Sequence, residues 1–287
     1  MPKLLTDEQV ASYHRDGIVF PMRVLSEKQA ASLLDASNDL EQRIGENPKA
    51  TDLAQMHLHF RWAYDLVVNP TILDAVEDVL GPNIVGWATG LFPKQPRDPK
   101  FISWHQDGTY FYLDPALHVT AWVALSDADV QAGCMHVLPK SHKLGQFEHS
   151  DDPGEHNLIL RGQAIFDKFD GQLGEPMALR AGEMSLHHTN LVHCSRPNLG
   201  PDRRLGFGIS YIPARVRDVG RPSGSALLVR GRDHGHFLPE QRLGPALSEE
   251  AYANHERRMK TFRARQDSGA AIGRDVSYSE VPQNRSD

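Results

Sequence analysis

The chain changes its periodicity at Gly81, and that change leaves few architectures open. Before it the pattern is helical. Thr6 to Gln9 is a capping box, and Gly17 is placed to close the helix that follows. Ile18 to Pro21 is a short apolar run that predicts a strand. Ser26 to Gln29 repeats the capping box and opens a helix to about Arg43. Asn69-Pro70 sets a cap before a proline at the first helical position, and Ile72, Val76 and Leu80 keep helical spacing up to Gly81. After Gly81 short apolar segments alternate with Gly and Pro turns: Ile84 to Phe92, His118 to Leu125, Cys134 to Leu138, Met177 to Leu179, Met184 to His188 and Leu205 to Ile212. Many short strands broken by such turns predict a sandwich or jelly roll. Ser248 to about Gln266 returns to helix. The expectation is one mainly β domain over 1–266 with flanking helices. It has a helical part over 1–81, a jelly-roll core over 82–215, and a lid and C-terminal helix over 216–266. The polar, aperiodic stretch 267–287 is expected to be a mobile tail.

Charge and length exclude several roles. A chain of 287 residues with 24% charged and 40% hydrophobic residues is ordinary for a soluble globular protein. Its net charge of −6 gives no reason to expect nucleic acid or an anionic membrane as partner. No apolar run approaches a membrane span, and the N-terminal MPKLLTDEQV lacks the apolar core of a signal peptide. Cys134 and Cys194 alone imply no disulfide framework, so a reducing cytoplasm is the default location. A small-molecule substrate is the expected partner, and oligomeric state is open.

Two distant segments carry the chemistry. Trp104-His105-Gln106-Asp107-Gly108 offers an imidazole and a carboxylate two positions apart, which on a strand point the same way. His193-Cys194-Ser195 offers a further imidazole, with Arg204 eleven positions beyond it. Two histidines and one carboxylate with open positions are the ligand set of non-haem Fe(II) oxygenases. A guanidinium at a fixed offset suits a dicarboxylate cosubstrate, because its planar fork matches a carboxylate. His187, His188 and His193 compete as third ligand. His193 is preferred for its neighbours Ser195 and Arg204. His136, His142, His234 and His236 are expected to be ordinary surface or hydrogen-bonded histidines.

In these motifs the chain resembles the phytanoyl-CoA dioxygenase family of Fe(II)/2-oxoglutarate oxygenases. The resemblance rests on Ser103 to Asp107, Thr120 to Leu125, Gly133 to Met135 and Pro139 to His142. It continues through Gly182 to Ser185, His193 to Ser195, Asn198 and Arg204, and it spans roughly residues 6 to 240. It implies a double-stranded β-helix (cupin-like jelly roll) core. It implies that His105, Asp107 and His193 bind iron and serve as the catalytic centre. Arg204 would pair with the distal carboxylate of 2-oxoglutarate, Ser195 would hydrogen-bond the same group, and Trp122 would line that pocket. Arg203 has the competing claim to the clamp, but adjacent strand residues cannot both face inward. Dioxygen and 2-oxoglutarate would be consumed, with succinate and carbon dioxide released and a substrate C–H hydroxylated. Related halogenases carry Ala or Gly at the carboxylate position, so Asp107 favours hydroxylation. The rival readings are a non-catalytic jelly-roll binding module and a metal-dependent hydrolase using the same ligands.

The substrate is less legible. Tyr110, Phe111 and Tyr112 follow the metal motif and are candidates for a pocket wall. Lys94, Arg215 and Arg217 are candidates to meet an anionic group. No basic cluster fits the phosphates of coenzyme A. The expected substrate is a small polar metabolite or a natural-product intermediate.

Overall fold

Three of the N-terminal helices begin where their side-chain caps stand. Thr6 Oγ1 accepts the Gln9 N–H at 3.2 Å while the Gln9 side chain accepts the Thr6 N–H at 2.8 Å, and the helix Asp7–Asp16 follows. Ser26 and Gln29 make the same reciprocal pair ahead of the helix Glu27–Ile44. Asn69 caps Pro70–Leu80, which buries Ile72, Leu73, Ala75, Val76 and Leu80. The chain also forms a 3-10 turn, Met56–Leu58, and a short helix, Arg61–Val67, that the sequence pattern does not announce. Neither has a side-chain cap, and each is held by what it buries. The structure, a computed structural model, describes residues 2–44, 52–151, 156–159, 163–165, 169, 174–220 and 222–272.

The core is a jelly roll of two sheets. The larger has seven strands in the order Ile18–Arg23, Glu183–His188, Val119–Ala124, Arg204–Pro213, Ile84–Lys94, Ser225–Arg230 and Leu238–Pro239. The smaller runs Ile102–His105, His193–Ser195, Met135–Val137 and Glu175–Met177. All pairings are antiparallel except that of the last two strands of the larger sheet. Ile18, Trp122 and Ala124 of the large sheet pack on Met135, Val137 and Met177 of the small one, so the two sheets share an interior.

One strand shows how the fold makes room for a site. In Arg204–Pro213 the side chains of Leu205, Phe207, Ile209 and Tyr211 join the helical residues Leu66, Ile72 and Val76 in one core cluster. Burying such a side chain stabilises the fold by about 1.5–3 kcal/mol. The alternate positions Gly206 and Gly208 face the barrel interior, where a Cβ on Gly206 would lie 1.9 Å from the Trp122 ring. Strand alternation thus gives this segment an apolar outer face and an inner face that carries only Gly206, Gly208 and the small Ser210 beyond Arg204.

In the segment expected to act as a lid, Arg217–Asp218 pairs with Leu113–Asp114, and Ser225–Arg230 joins the large sheet beside Ile84–Lys94. The C-terminal helix runs Glu249–Ile272, so the expected tail begins inside it; residues 273–287 lie outside the described residues. Arg258 fastens this helix by donating to the Trp87 carbonyl at 3.2 Å and pairing with Glu240 at 3.4 Å. Among the described residues no helix is long and apolar enough to cross a membrane.

Candidate metal centre

His105 ends the strand Ile102–His105, and Asp107 opens a 3-10 turn, Asp107–Tyr110. Gln106 between them is extended, with φ −123° and ψ 133°, so alternation aims both side chains the same way, as the sequence pattern predicts, and the turn begins only at Asp107. His193 opens the strand His193–Ser195 directly opposite His105 in the antiparallel register. Cross-strand neighbours lie within side-chain contact, and here the two rings are 4.0 Å apart between centroids. One ligand atom from each of His105, Asp107 and His193 falls within 4.8 Å of the others.

The tautomers follow from the outer hydrogen bonds. Nδ1 of His105 faces the Ser103 carbonyl and Nδ1 of His193 the Leu191 carbonyl, each at 2.9 Å. A carbonyl only accepts, so each Nδ1 carries the proton and Nε2 is the ring nitrogen left to face a metal. Burial, then the neighbouring His105, pushes the His193 imidazole well below its usual range, so it stays neutral. Both Nε2 atoms face Asp107 Oδ1, at 3.5 Å and 3.7 Å. Three lone pairs aimed at one point repel one another unless a cation lies between them. Imidazole and carboxylate donors suit Fe(II), and outer hydrogen bonds of this kind fix metal-binding histidines. The donor set therefore fits a resident divalent metal.

The other carboxylate oxygen is already engaged. Thr120 donates its hydroxyl to Asp107 Oδ2 at 2.8 Å, and His118 Nε2 supports Thr120 Oγ1 at 3.2 Å. His187 Nε2 stands 3.5 Å from the same oxygen. Asp107 is left with Oδ1 alone to offer a metal. Sequence reasoning missed His118 and Thr120. Their i, i+2 spacing with Trp122 on one strand face was the available signal. His188, the neighbour of His187, faces elsewhere: its Nδ1 accepts from the Asn190 N–H at 3.1 Å, and burial lowers its pKa to about 3.

A cavity of about 80 Å³ leads from these ligands to Arg204, with Trp122 and Ser195 on its wall. Arg204 is 2% exposed. Its Nη1 donates to Gly133 O at 2.9 Å, its Nη2 to Phe92 O at 3.4 Å, and its guanidinium lies 5.3 Å over Trp122. Its Nε is buried without a partner among the described residues. Burial lowers its pKa only to about 10, so it is charged at neutral pH. Arg203 points away, to Asn38. Ser195 Oγ accepts from Lys94 Nζ at 2.7 Å. A buried, charged fork with a hydroxyl on the same cavity wall can receive a carboxylate at the end away from His105, Asp107 and His193.

Comparison with known proteins identifies the scaffold. A profile of the family described as Phytanoyl-CoA dioxygenase (PhyH) matches residues 13–206. The chain belongs to the phytanoyl-CoA dioxygenase family. Peroxisomal phytanoyl-CoA dioxygenase of Bos taurus is 34% identical over 157 residues, 52% of this chain and 46% of that protein. The chain spans roughly half the length of the curated relatives it matches. Among solved structures, the apo form of the non-haem monooxygenase ThoJ superposes with a TM-score of 0.81 at 31% identity, over 92% of this chain and 99% of ThoJ. CytC3, solved with Fe(II) and alpha-ketoglutarate, shares the fold with a TM-score of 0.64 at 21% identity, over 85% of this chain and 94% of CytC3.

This family member has a second cavity of about 290 Å³ that opens on His105 and Asp107. Leu91, Phe92, Ile102, Phe111, Ile159 and Phe262 give it a largely apolar wall, with Gln95, Asp98 and Lys100 as polar neighbours. Several residues expected at the substrate are not on it. Lys94 is fully buried behind Ser195, where burial and the Arg204 charge lower its pKa to about 6. Arg215 is exposed in the turn after Arg204–Pro213. Tyr112 has a left-handed φ of 50° and lines neither cavity. The side chain of Tyr110 lies outside the described residues. Phe262, from the C-terminal helix, was not foreseen.

Proposed function

We propose that this chain is an Fe(II)- and 2-oxoglutarate-dependent dioxygenase that hydroxylates a C–H bond of a compact, largely apolar small molecule. His105, Asp107 and His193 hold the iron. Arg204 and Ser195 hold the distal carboxylate of 2-oxoglutarate, and Trp122 walls its chain. The observation that carries the reading is a single small cavity with three converging lone-pair donors at one end and a buried, part-satisfied guanidinium at the other. A metal-dependent hydrolase would use the first and leave the second without purpose.

Bound iron supplies the coupling of dioxygen reduction to 2-oxoglutarate decarboxylation. The protein's own residues orient and exclude. Thr120 and His187 tie down Asp107 Oδ2 and leave Oδ1 to the metal. Ser103 and Leu191 carbonyls hold the two imidazoles with Nε2 inward. Arg204 and the Ser195 hydroxyl fix the cosubstrate by one end, so its other end is presented to the ligands. The apolar second cavity brings a substrate C–H beside His105 and Asp107 and keeps water away from it. Retention of Asp107 supports hydroxylation over halogenation.

The test is succinate formation in air from 2-oxoglutarate and Fe(II), screened against panels of small apolar, polar and acyl-CoA compounds. Substrate-dependent succinate with an apolar or natural-product panel is expected. Stimulation by acyl-CoA thioesters alone would overturn the substrate class. Hydrolysis without oxygen consumption would overturn the oxygenase reading.

A further inference from the structure

The cosubstrate cavity and the substrate cavity meet at the metal centre and share five lining residues: Phe92, Ile102, His105, Asp107 and Thr120. His105 and Asp107 are ligand candidates, and Thr120 anchors Asp107. Of the other two, Phe92 has the larger side chain, and the fold makes a special seat for its ring. The register sets Gly90 opposite Gly208, and Phe92 opposite Gly206. Gly90 lies two positions before Phe92, on the same strand face. A Cβ on Gly208 would lie 2.9 Å from Phe92 Cε2, and one on Gly90 would lie 3.3 Å from Cε2 and Cζ. The ring therefore rests across both glycines.

Neither glycine has a positive φ to account for it. Glycine inside a strand is destabilising and marks a place where another group comes close. Here that group is the Phe92 ring, which itself remains partly exposed rather than sunk in the core. The backbone of the same residue accepts the Arg204 Nη2 donor at 3.4 Å. One residue thus touches the guanidinium of the cosubstrate site through its carbonyl and borders both cavities through its ring.

We propose that Phe92 is the partition between the cosubstrate chamber and the substrate chamber, a positioning residue seated on Gly90 and Gly208 that shields the Arg204 carboxylate site from solvent entering with the substrate. The proposal rests on the dioxygenase reading above. Its chemical content is simple. A charge-assisted contact is stronger where water is excluded, so opening the partition weakens the grip on 2-oxoglutarate. An ordinary core aromatic would lower stability when removed and leave that affinity alone.

The experiment is titration of 2-oxoglutarate into Ni(II)-loaded protein, where no turnover occurs, alongside Ni(II) binding and thermal melting. Phe92→Ala is expected to weaken 2-oxoglutarate binding about tenfold while Ni(II) affinity stays within about twofold. Phe92→Leu, which keeps part of the wall, should recover most of that loss. Gly208→Ala leaves Phe92 in the sequence but pushes its ring, and should weaken 2-oxoglutarate by a smaller factor. Wild-type affinity in Phe92→Ala or in Gly208→Ala, with Ni(II) bound, would overturn the partition. So would a parallel loss of Ni(II), which marks general collapse. Wild-type protein that binds Ni(II) but not 2-oxoglutarate would overturn the dioxygenase reading itself, and is told apart because it appears before any substitution is made.

Discussion

Replacing Arg204 by lysine separates charge from geometry at the carboxylate site. The native guanidinium spends Nη1 on Gly133 O and Nη2 on Phe92 O, and its Nε is buried with no partner among the described residues. The unspent N–H groups are those available to a ligand. Lysine keeps the positive charge but offers a point donor in place of a fork. A hydrogen bond to a charged group contributes about 1.5–3 kcal/mol. Loss of one such bond from the pair therefore weakens 2-oxoglutarate binding about ten- to hundredfold, at about 1.4 kcal/mol per decade. Loss of charge as well, in Arg204→Met, should weaken it further, so the expected order is wild type, lysine, methionine. Calorimetric titration into anaerobic Ni(II)-loaded protein reads the constant, and the Michaelis constant for 2-oxoglutarate should move with it. Removing the guanidinium from its seat 5.3 Å over Trp122 also costs stability, so melting curves must show that each variant is folded at the assay temperature. Arg204→Lys binding 2-oxoglutarate within twofold of wild type would refute the reasoning.

Other expectations can be checked with the same protein. His193→Ala should cut Ni(II) affinity by more than the ten- to hundredfold that outer hydrogen-bonding partners are worth, whereas His188→Ala should leave it unchanged; the reverse pattern would exchange the assignment. Thr120→Val removes the donor on Asp107 Oδ2 and should weaken metal binding about ten- to hundredfold without removing a ligand, so unchanged metal affinity would show that the contact does no orienting. Burial holds the pKa of His59 and of His188 down to about 3, so the unfolded chain binds protons near pH 6.5 that the folded chain refuses. Stability is then full above that pH and falls as pH drops toward 3, by about 1.4 kcal/mol per unit for each histidine, and denaturant unfolding at pH 7.5 and 5.5 should differ by about 3 kcal/mol; a flat profile would contradict it.

The parts of the fold that were legible are those with a local physical signature. Both capping boxes, the Asn69-Pro70 start and the strands Ile84–Lys94, Val119–Ala124 and Arg204–Pro213 each carry their signal within a few residues. The short helix Arg61–Val67 carries none, because Phe60 caps nothing with its side chain and burial of Ala63, Tyr64, Leu66 and Val67 decides the matter. Ile102–His105 and His193–Ser195 are too short for a period to emerge, yet they carry two of the three ligand candidates. Their pairing is fixed by the sheet, and no spacing along the chain encodes it.

The site divides along the same line. His105 and Asp107 were legible as a pair because the backbone stays extended through Gln106, one residue past the strand end, and the 3-10 turn starts only at Asp107. Arg204 was legible as a clamp because its neighbours settle which way it faces: Leu205, Phe207 and Ile209 belong to the outer core, so Arg204, Gly206 and Gly208 must face in. Lys94 misled because an unpaired lysine in a loop-like context reads as a surface cation. It is the last residue of the strand that borders both chambers, and alternation turns it inward with Phe92 onto the Ser195 hydroxyl. Gly90 and Gly208 help set the shape of the larger chamber by the space they leave, and that space exists only after two strands have been paired. A sequence therefore shows the groups that hold metal and carboxylate more readily than it shows what fits beside them. That is the physical reason the cosubstrate can be argued residue by residue here while the substrate is argued from the character of a cavity wall.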